Sequence, residues 1–410
     1  MKALHRRARA LTVLVGVTAL ALPACGRSVS TDVAMPAAAA PIENTIVSAA
    51  PLRPRAELER VARPQTAVEL RVAYNEVLDE HALLSMMATA ASLGNRPAEL
   101  EAASAQLQAN AEDLADLVSQ IYDEKTGAAF STFWRKHIGF FLEYTAALGR
   151  ADHVTAARAS ADLETYAADL EALLKSSTES MPVGVVRALV TKHIHNVDHQ
   201  HTGDWQAAYA DILPAIDNMR VISDHLTLGV QVKYGDRYTG DTSAPASTRG
   251  TSIVTGLQVN AALFGIAGGA AIDGRDREVG QSVSIARENI ERLAGELSDG
   301  DPDPAIERVL TQLVNDLDAY SRGVEQPTAS SSDASKRLDG DAATIASALT
   351  ARYPRLAGSD LEPLLRTYIA GLQQTMRHQA AGEWSAAFTT MSQNEAHATL
   401  IADVITSRWR

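Results

Sequence analysis

The sequence predicts an all-α protein of two tandem antiparallel helical bundles, about six helices each, related by internal duplication. Three observations carry this expectation. Apolar residues recur at three- and four-residue spacings over long stretches, while strand alternation is missing almost everywhere. His81, His137 and His193 fall 56 residues apart, each where a helical apolar stripe would otherwise carry another hydrophobe. Finally, the run from His199 to Tyr209, with Gly203-Asp204-Trp205 at its centre, reappears at His378 to Phe388 around Gly382-Glu383-Trp384, an offset of 179. Composition agrees, since 46% hydrophobic with only 5% aromatic residues favours helices packed through small side chains.

The elements follow in order from the breakers. Residues 1–24 read as a processed signal peptide: Lys2, Arg6, Arg7 and Arg9 form a positive start, and Leu11 to Leu22 form a short apolar core. Leu22-Pro23-Ala24-Cys25 resembles a bacterial lipoprotein lipobox, with Pro23 the less usual residue, and Cys25 is the only cysteine in the chain. No intramolecular disulfide is therefore available, and lipidation at Cys25 best accounts for the lone thiol. An ordinary secretory signal with a bystander cysteine is the rival reading. Residues 25–65 are rich in Ser, Ala and Pro without a sustained period, which reads as a lipidated tether.

Residues 66–234 read as the N-terminal bundle. Val77, His81, Leu84 and Ala88 share a helix face, as do Phe130, Trp134, His137, Phe141 and Tyr144, and then Val186, Leu189, His193 and Val197. Helices over about 96–122, 152–176 and 204–230 alternate with these, and Pro97, Gly149 and Gly203 mark turns. Residues 235–251, with their Gly, Thr, Ser, Asp and Pro245, read as a linker, and 252–410 as a degenerate C-terminal bundle. The stretch Val254 to Ile272 comes closest to a membrane span, but Gln258, Asn260 and several glycines weaken it.

Charge excludes one class of partner. Cleavage before Cys25 removes four positive charges and no acid, moving the net charge from −13 to −17, a field that repels nucleic acid. A Gly-rich phosphate loop, a Ser nucleophile elbow and paired Cys ligands are all absent from the sequence.

The candidate site is the set His81, His137, His193, Asp113, Asp169 and Asp224. The aspartates repeat at intervals of 56 and 55 on the helices that follow the histidines. A buried imidazole needs partners for both ring nitrogens, and a carboxylate on the neighbouring helix is one natural choice. The set is then either a buried polar network that fixes helix register or a site for a divalent transition metal. By the repeat, His81 becomes Ala261, His137 Leu313, His193 Leu372, Asp113 Asn289 and Asp169 Thr344, while Asp224 persists as Asp403. Five of six positions change together, which binds them into one unit under either reading. His195, Asp198 and His199 form a secondary metal candidate, with the two histidines one helical turn apart; a solvated helix end is the plainer reading. Trp205 and Trp384 occupy equivalent repeat positions and read as packing at a helix start.

With these residues in place, the chain resembles an uncharacterised family of bacterial envelope helical-bundle proteins. The shared features are repeated charged-His-aliphatic motifs: Glu80-His81, Lys136-His137-Ile138 and Lys192-His193-Ile194, with Asn110, Glu112 and Asp113, and Ser223-Asp224-His225-Leu226. The likeness covers residues 70–230, and Tyr166 stands where that family carries a second Asn. It implies the fold and an envelope location, and no activity. The expected protein is a lipid-anchored, extracytoplasmic binding or interaction module of unknown ligand. Its lipidated Cys25 would lie in the cell membrane, or in an outer membrane if the cell has two, and an envelope protein is a candidate partner. The alternative is a metal-binding protein, carrier or oxidase, built on the His/Asp set.

Overall fold

The computed structural model describes residues 64–177 and 182–407, so the leader, Cys25 and the first 39 tether residues lie outside the described residues. The chain is all-helical there, with no strand and a single isolated bridge between Thr66 and Thr239.

Local chemistry sets most boundaries. Helix α1 (Ala67–Leu93) opens on a reciprocal cap, in which Thr66 Oγ1 accepts from the Glu69 amide and Glu69 returns a carboxylate to the Thr66 amide. Pro97 starts α2 (Pro97–Ile121), and Asp123 caps α3 (Glu124–Gly149) by accepting from Thr126 N–H at 2.8 Å. Helices α4 (His153–Ser177) and α5 (Val185–Thr202) follow, and Gly203, at φ 74°, ends α5.

The helix expected over 204–230 is broken into α6 (Trp205–Ala210) and α7 (Ile212–Tyr234). Pro214 explains the break, because it has no N–H to return to the Ala210 carbonyl. Its counterpart at the 179 offset is Gln393, and there α13 (Trp384–Ser407) runs unbroken.

The second half comprises α8 (Pro245–Ile272), α9 (Asp276–Leu297), α10 (Pro304–Ser321), α11 (Ala329–Arg352), α12 (Gly358–Ala380) and α13. The 235–251 linker is shorter than expected. Helix α8 starts at Pro245, whose fixed φ suits a first helical position, and Tyr238 is buried while Ala67 donates to Thr239 O at 2.9 Å. One hydrophobic core runs from Ala67 to Ile405 through both halves, with α1 packed on α8 and α2 on α13. Helix α8 lies at its centre. It is long and apolar enough to cross a membrane, yet almost all of that stretch is buried in the protein, which accounts for apolar residues on every face.

Several turns match between the halves. Arg96 donates to Ala91 O and Arg275 to Ala270 O, at 2.9 and 2.8 Å, each just after a residue with positive φ, Asn95 or Gly274. Asp204 donates to His199 O and Glu383 to His378 O, both at 2.8 Å. Asn110 donates to Val77 O and Glu80, while Asn289 donates to Gly256 O and Asn260. The two asparagines bond alike, each to a backbone carbonyl and a side chain of the preceding helix, and they lie 179 residues apart.

Candidate functional site

The three histidines converge and the aspartates do not join them. His81 on α1 and His137 on α3 meet Nε2 to Nε2 at 2.9 Å, and His193 on α5 lines the same two cavities as that pair. Asp224 instead forms a two-pronged ion pair with Arg71, at 2.5 and 3.0 Å. Asp169 is exposed, and Asp113 is half-buried on α2 and lines neither cavity. The expected His/Asp pairing is therefore replaced by His/His pairing. A repeat interval specifies recurrence along helices, not which side chains face one another.

The secondary cluster also disperses. Asp198 accepts from Tyr144 OH at 2.7 Å, His199 Nδ1 lies 3.9 Å from Asp211, and His195 is exposed. Among the described residues, no group of three or more His, Cys, Asp or Glu side chains is placed to hold a metal ion.

The histidine pair closes the inner end of a cavity of about 570 Å³ within the first half. Its level in the bundle follows from the alternating chain direction. Moving inward, α1 supplies Tyr74, Leu78 and His81; α3 supplies Thr126, Phe130, Trp134 and His137; and α5 supplies Val186, Leu189 and His193. Moving outward, α4 runs from Tyr166 through Leu170 to Leu174, and α7 from Met219 through Leu226 to Lys233. Thr126 to His137 is eleven residues of helix, so the cavity is about 16 Å long. Thr126, Ala129, Leu173 and Lys233 are exposed and mark its mouth. The Lys233 ammonium lies over the Tyr122 ring, 5.0 Å from its centre.

Aromatic rings form the wall at the inner end. Phe130 stacks on Trp134 with centroids 5.5 Å apart, Phe133 on Tyr166 at 4.6 Å, and His137 on Tyr166 at 4.8 Å. Trp134 also contacts both imidazoles, at 5.0 Å from His81 and 4.5 Å from His137. Four polar atoms in this shell are buried without a well-formed hydrogen bond: His81 Nδ1, His137 Nδ1, Trp134 Nε1 and Tyr166 OH. Such groups are rare, because each forfeits its hydration.

Burial keeps the imidazoles neutral. It pushes His81 well below its ordinary value, helped by the neighbouring His137 and His193 against a small opposing effect of Asn110. Burial pushes His137 down to about 3, partly opposed by the Trp134 backbone, and His193 down to about 4. Tyr166 is pushed upward by burial and stays protonated. The inner end is thus uncharged at neutral pH yet rich in hydrogen-bonding groups.

Sequence reasoning placed Trp134 and Phe130 in a core stripe and passed over Tyr166, Tyr122 and Lys233 as site residues. One signal was present. Four of the six phenylalanines, Phe130, Phe133, Phe140 and Phe141, sit on α3 beside Trp134, in a chain otherwise poor in aromatics. In comparisons with known proteins, no family model, no curated protein and no solved structure matches this chain.

Proposed function

We propose that this protein is an envelope binding module, tethered through a lipidated Cys25, whose first half holds an elongated and largely apolar small molecule. The second half is a closed copy that braces it. The observation that carries this reading is the cavity itself. It is about 570 Å³ and opens to solvent at one end, and water inside it meets walls of Leu, Val, Ile and Phe that offer few hydrogen bonds, so an apolar molecule that displaces this water gains from the burial. Its volume lies in the usual range for small-ligand pockets. The matched turns and the equivalent Asn110 and Asn289 bonds support the copy relation.

Titration with the neutral apolar dye N-phenyl-1-naphthylamine tests the reading. One dye per chain should bind, and Leu189→Trp, which fills the middle of the cavity, should abolish binding without lowering the melting temperature. A dye signal that is absent, or unchanged in Leu189→Trp, would overturn it.

A further inference from the structure

We propose that the cavity takes an amphiphile with an anionic head group, a carboxylate or phosphate on a long alkyl chain, and takes it tail first, with the chain end against the His81 and His137 rings and the head at Lys233. This rests on the cavity being a ligand site, and it adds the ligand's charge and which way round it lies.

The inner end offers carbon in place of hydrogen bonds. His81 and His137 turn their Nε2 atoms on each other, while both Nδ1 atoms, Trp134 Nε1 and the Tyr166 hydroxyl are covered by protein. A ligand there meets the walls of stacked rings, Phe130 on Trp134 and Phe133 on Tyr166. A charged head group pushed to this end would lose its water and gain no partner, because burial holds all three histidines neutral. An alkyl chain end loses nothing in the same place and gains from leaving water. At about 1.2 Å per bond of extended chain, the cavity's length of about 16 Å takes about thirteen carbons.

The mouth has the opposite character. Tyr122, Thr126 and Lys233 bring polar groups to it, and among the described residues that line the cavity Lys233 is the one charged side chain. Its ammonium lies 5.0 Å from the centre of the Tyr122 ring and 5.3 Å from that of Tyr234, on a flexible stem that can carry the charge to a head group at the opening. Of the neighbouring charges, Asp123 is engaged with the Thr126 amide at 2.8 Å and Arg237 with the Gln120 carbonyl at 2.9 Å.

The surface around the mouth suits entry from a lipid surface. Leu173 near the end of α4, Val183 just before α5, and Leu228 and Val232 on the outer part of α7 are four of the five large hydrophobic side chains exposed among the described residues. An alkyl chain passing from a bilayer into the cavity would stay against apolar surface there. The described chain also begins at this end, since the Ala67 amide donates to Thr239 O, shortly after Lys233. A tether leading back to a lipidated Cys25 therefore joins the fold on the side where the cavity opens.

Displacement of the bound dye by four twelve-carbon probes, each below its micelle-forming concentration, decides the charge: dodecanoate, dodecyl phosphate, dodecanol and dodecyltrimethylammonium. Both anions should displace the dye at about fivefold lower concentration than dodecanol, the gain from one solvent-screened ion pair, and the cation should compete least. Lys233→Met, which keeps the stem and removes the charge, should erase the advantage of the anions and leave dodecanol within about twofold. The stronger of the two anions identifies the acid. Orientation is read from Trp134, which lines the inner end: 12-bromododecanoate should quench its fluorescence, 2-bromododecanoate should not, and Trp134→Phe should remove the difference. Dodecanol matching the anions, with no effect of Lys233→Met, would overturn the head-group assignment and leave the cavity reading intact. Stronger quenching by the 2-bromo acid would overturn the tail-first orientation. If the dye itself does not bind, the cavity reading fails first and this inference fails with it.

Discussion

Asp79→Asn should abolish a large loss of stability between pH 3.8 and about 8. Asp79 is fully buried on α1 where the halves meet, and its Oδ2 accepts from Asn75 Nδ2 at 2.7 Å and Thr255 Oγ1 at 2.8 Å. Its Oδ1 has no partner. Burial, the largest effect, raises its proton affinity so that it titrates at about 8 instead of 3.8, against the opposing hydrogen bond from Thr255 and the attraction of Arg220. The sign follows from proton counting. Between pH 3.8 and about 8 the folded protein keeps a proton that the unfolded chain has lost, so its stabilising contribution is complete below 3.8 and is lost as pH rises through 8. About four pKa units at about 1.4 kcal/mol each give a ceiling of about 6 kcal/mol. Asparagine cannot ionise, and its carbonyl still accepts from Asn75 and Thr255. Urea unfolding of parent and variant from pH 4.5 to 9 should show similar stabilities at the acid end, with the variant pulling ahead by several kcal/mol at pH 9. Parallel curves would mean that Asp79 is not a buried protonated acid at the seam, and the packing of α1 on α8 would be misread.

Three other outcomes are expected. The histidines act with the opposite sign: because burial lowers their proton affinity, stability present above pH 6.5 should fall as pH drops toward 4 and 3, and His137→Leu should flatten that acid limb in urea titrations. Gly268→Ala should cost about 1 to 3 kcal/mol in thermal or urea unfolding, because the new methyl would sit 2.6 Å from Met376 Cγ and 2.7 Å from Gln379 Oε1. Cys25→Ser should move the protein from the membrane fraction to the soluble fraction or leave it unprocessed; unchanged fractionation would count against lipidation.

Helix positions were largely legible in the sequence because breakers and caps act locally. The α2 boundary at Pro97 and the α5 end at Gly203 follow from φ preferences that need no tertiary information. Pro214 could have been read the same way, but the continuous apolar period on either side of it masked the break. The cavity was not legible, since Val186, Leu189 and His193 form the same stripe whether their face meets a helix or a void. The aspartates misled for a related reason. Asp169 lies next to buried Leu170 and three residues from buried Tyr166, yet it points to solvent. A spacing of 56 returns a residue to the same position in the repeat without saying which neighbour it meets.

The two halves share turn geometry and differ in the side chains that pack against their helices. Counting from the matched turns at Arg96 and Arg275, Thr89 of α1 corresponds to Gly268 of α8. Thr89 leaves a buried hydroxyl without a well-formed bond, whereas Gly268 lets Met376 and Gln379 press onto the helix backbone. Helix α10 has 18 residues where α3 has 26, so it lacks the length over which the aromatic wall is built. Leu313 and Leu372 then stand in place of His137 and His193, and both are buried in the common core. Once that space is filled by aliphatic side chains, a neutral imidazole there would have neither a partner ring nor a ligand, and its loss relieves two unpaired nitrogens. If the halves are copies, the imidazoles are kept in the half that carries the cavity, which is the pattern expected if they serve a bound molecule and not the register of the helices.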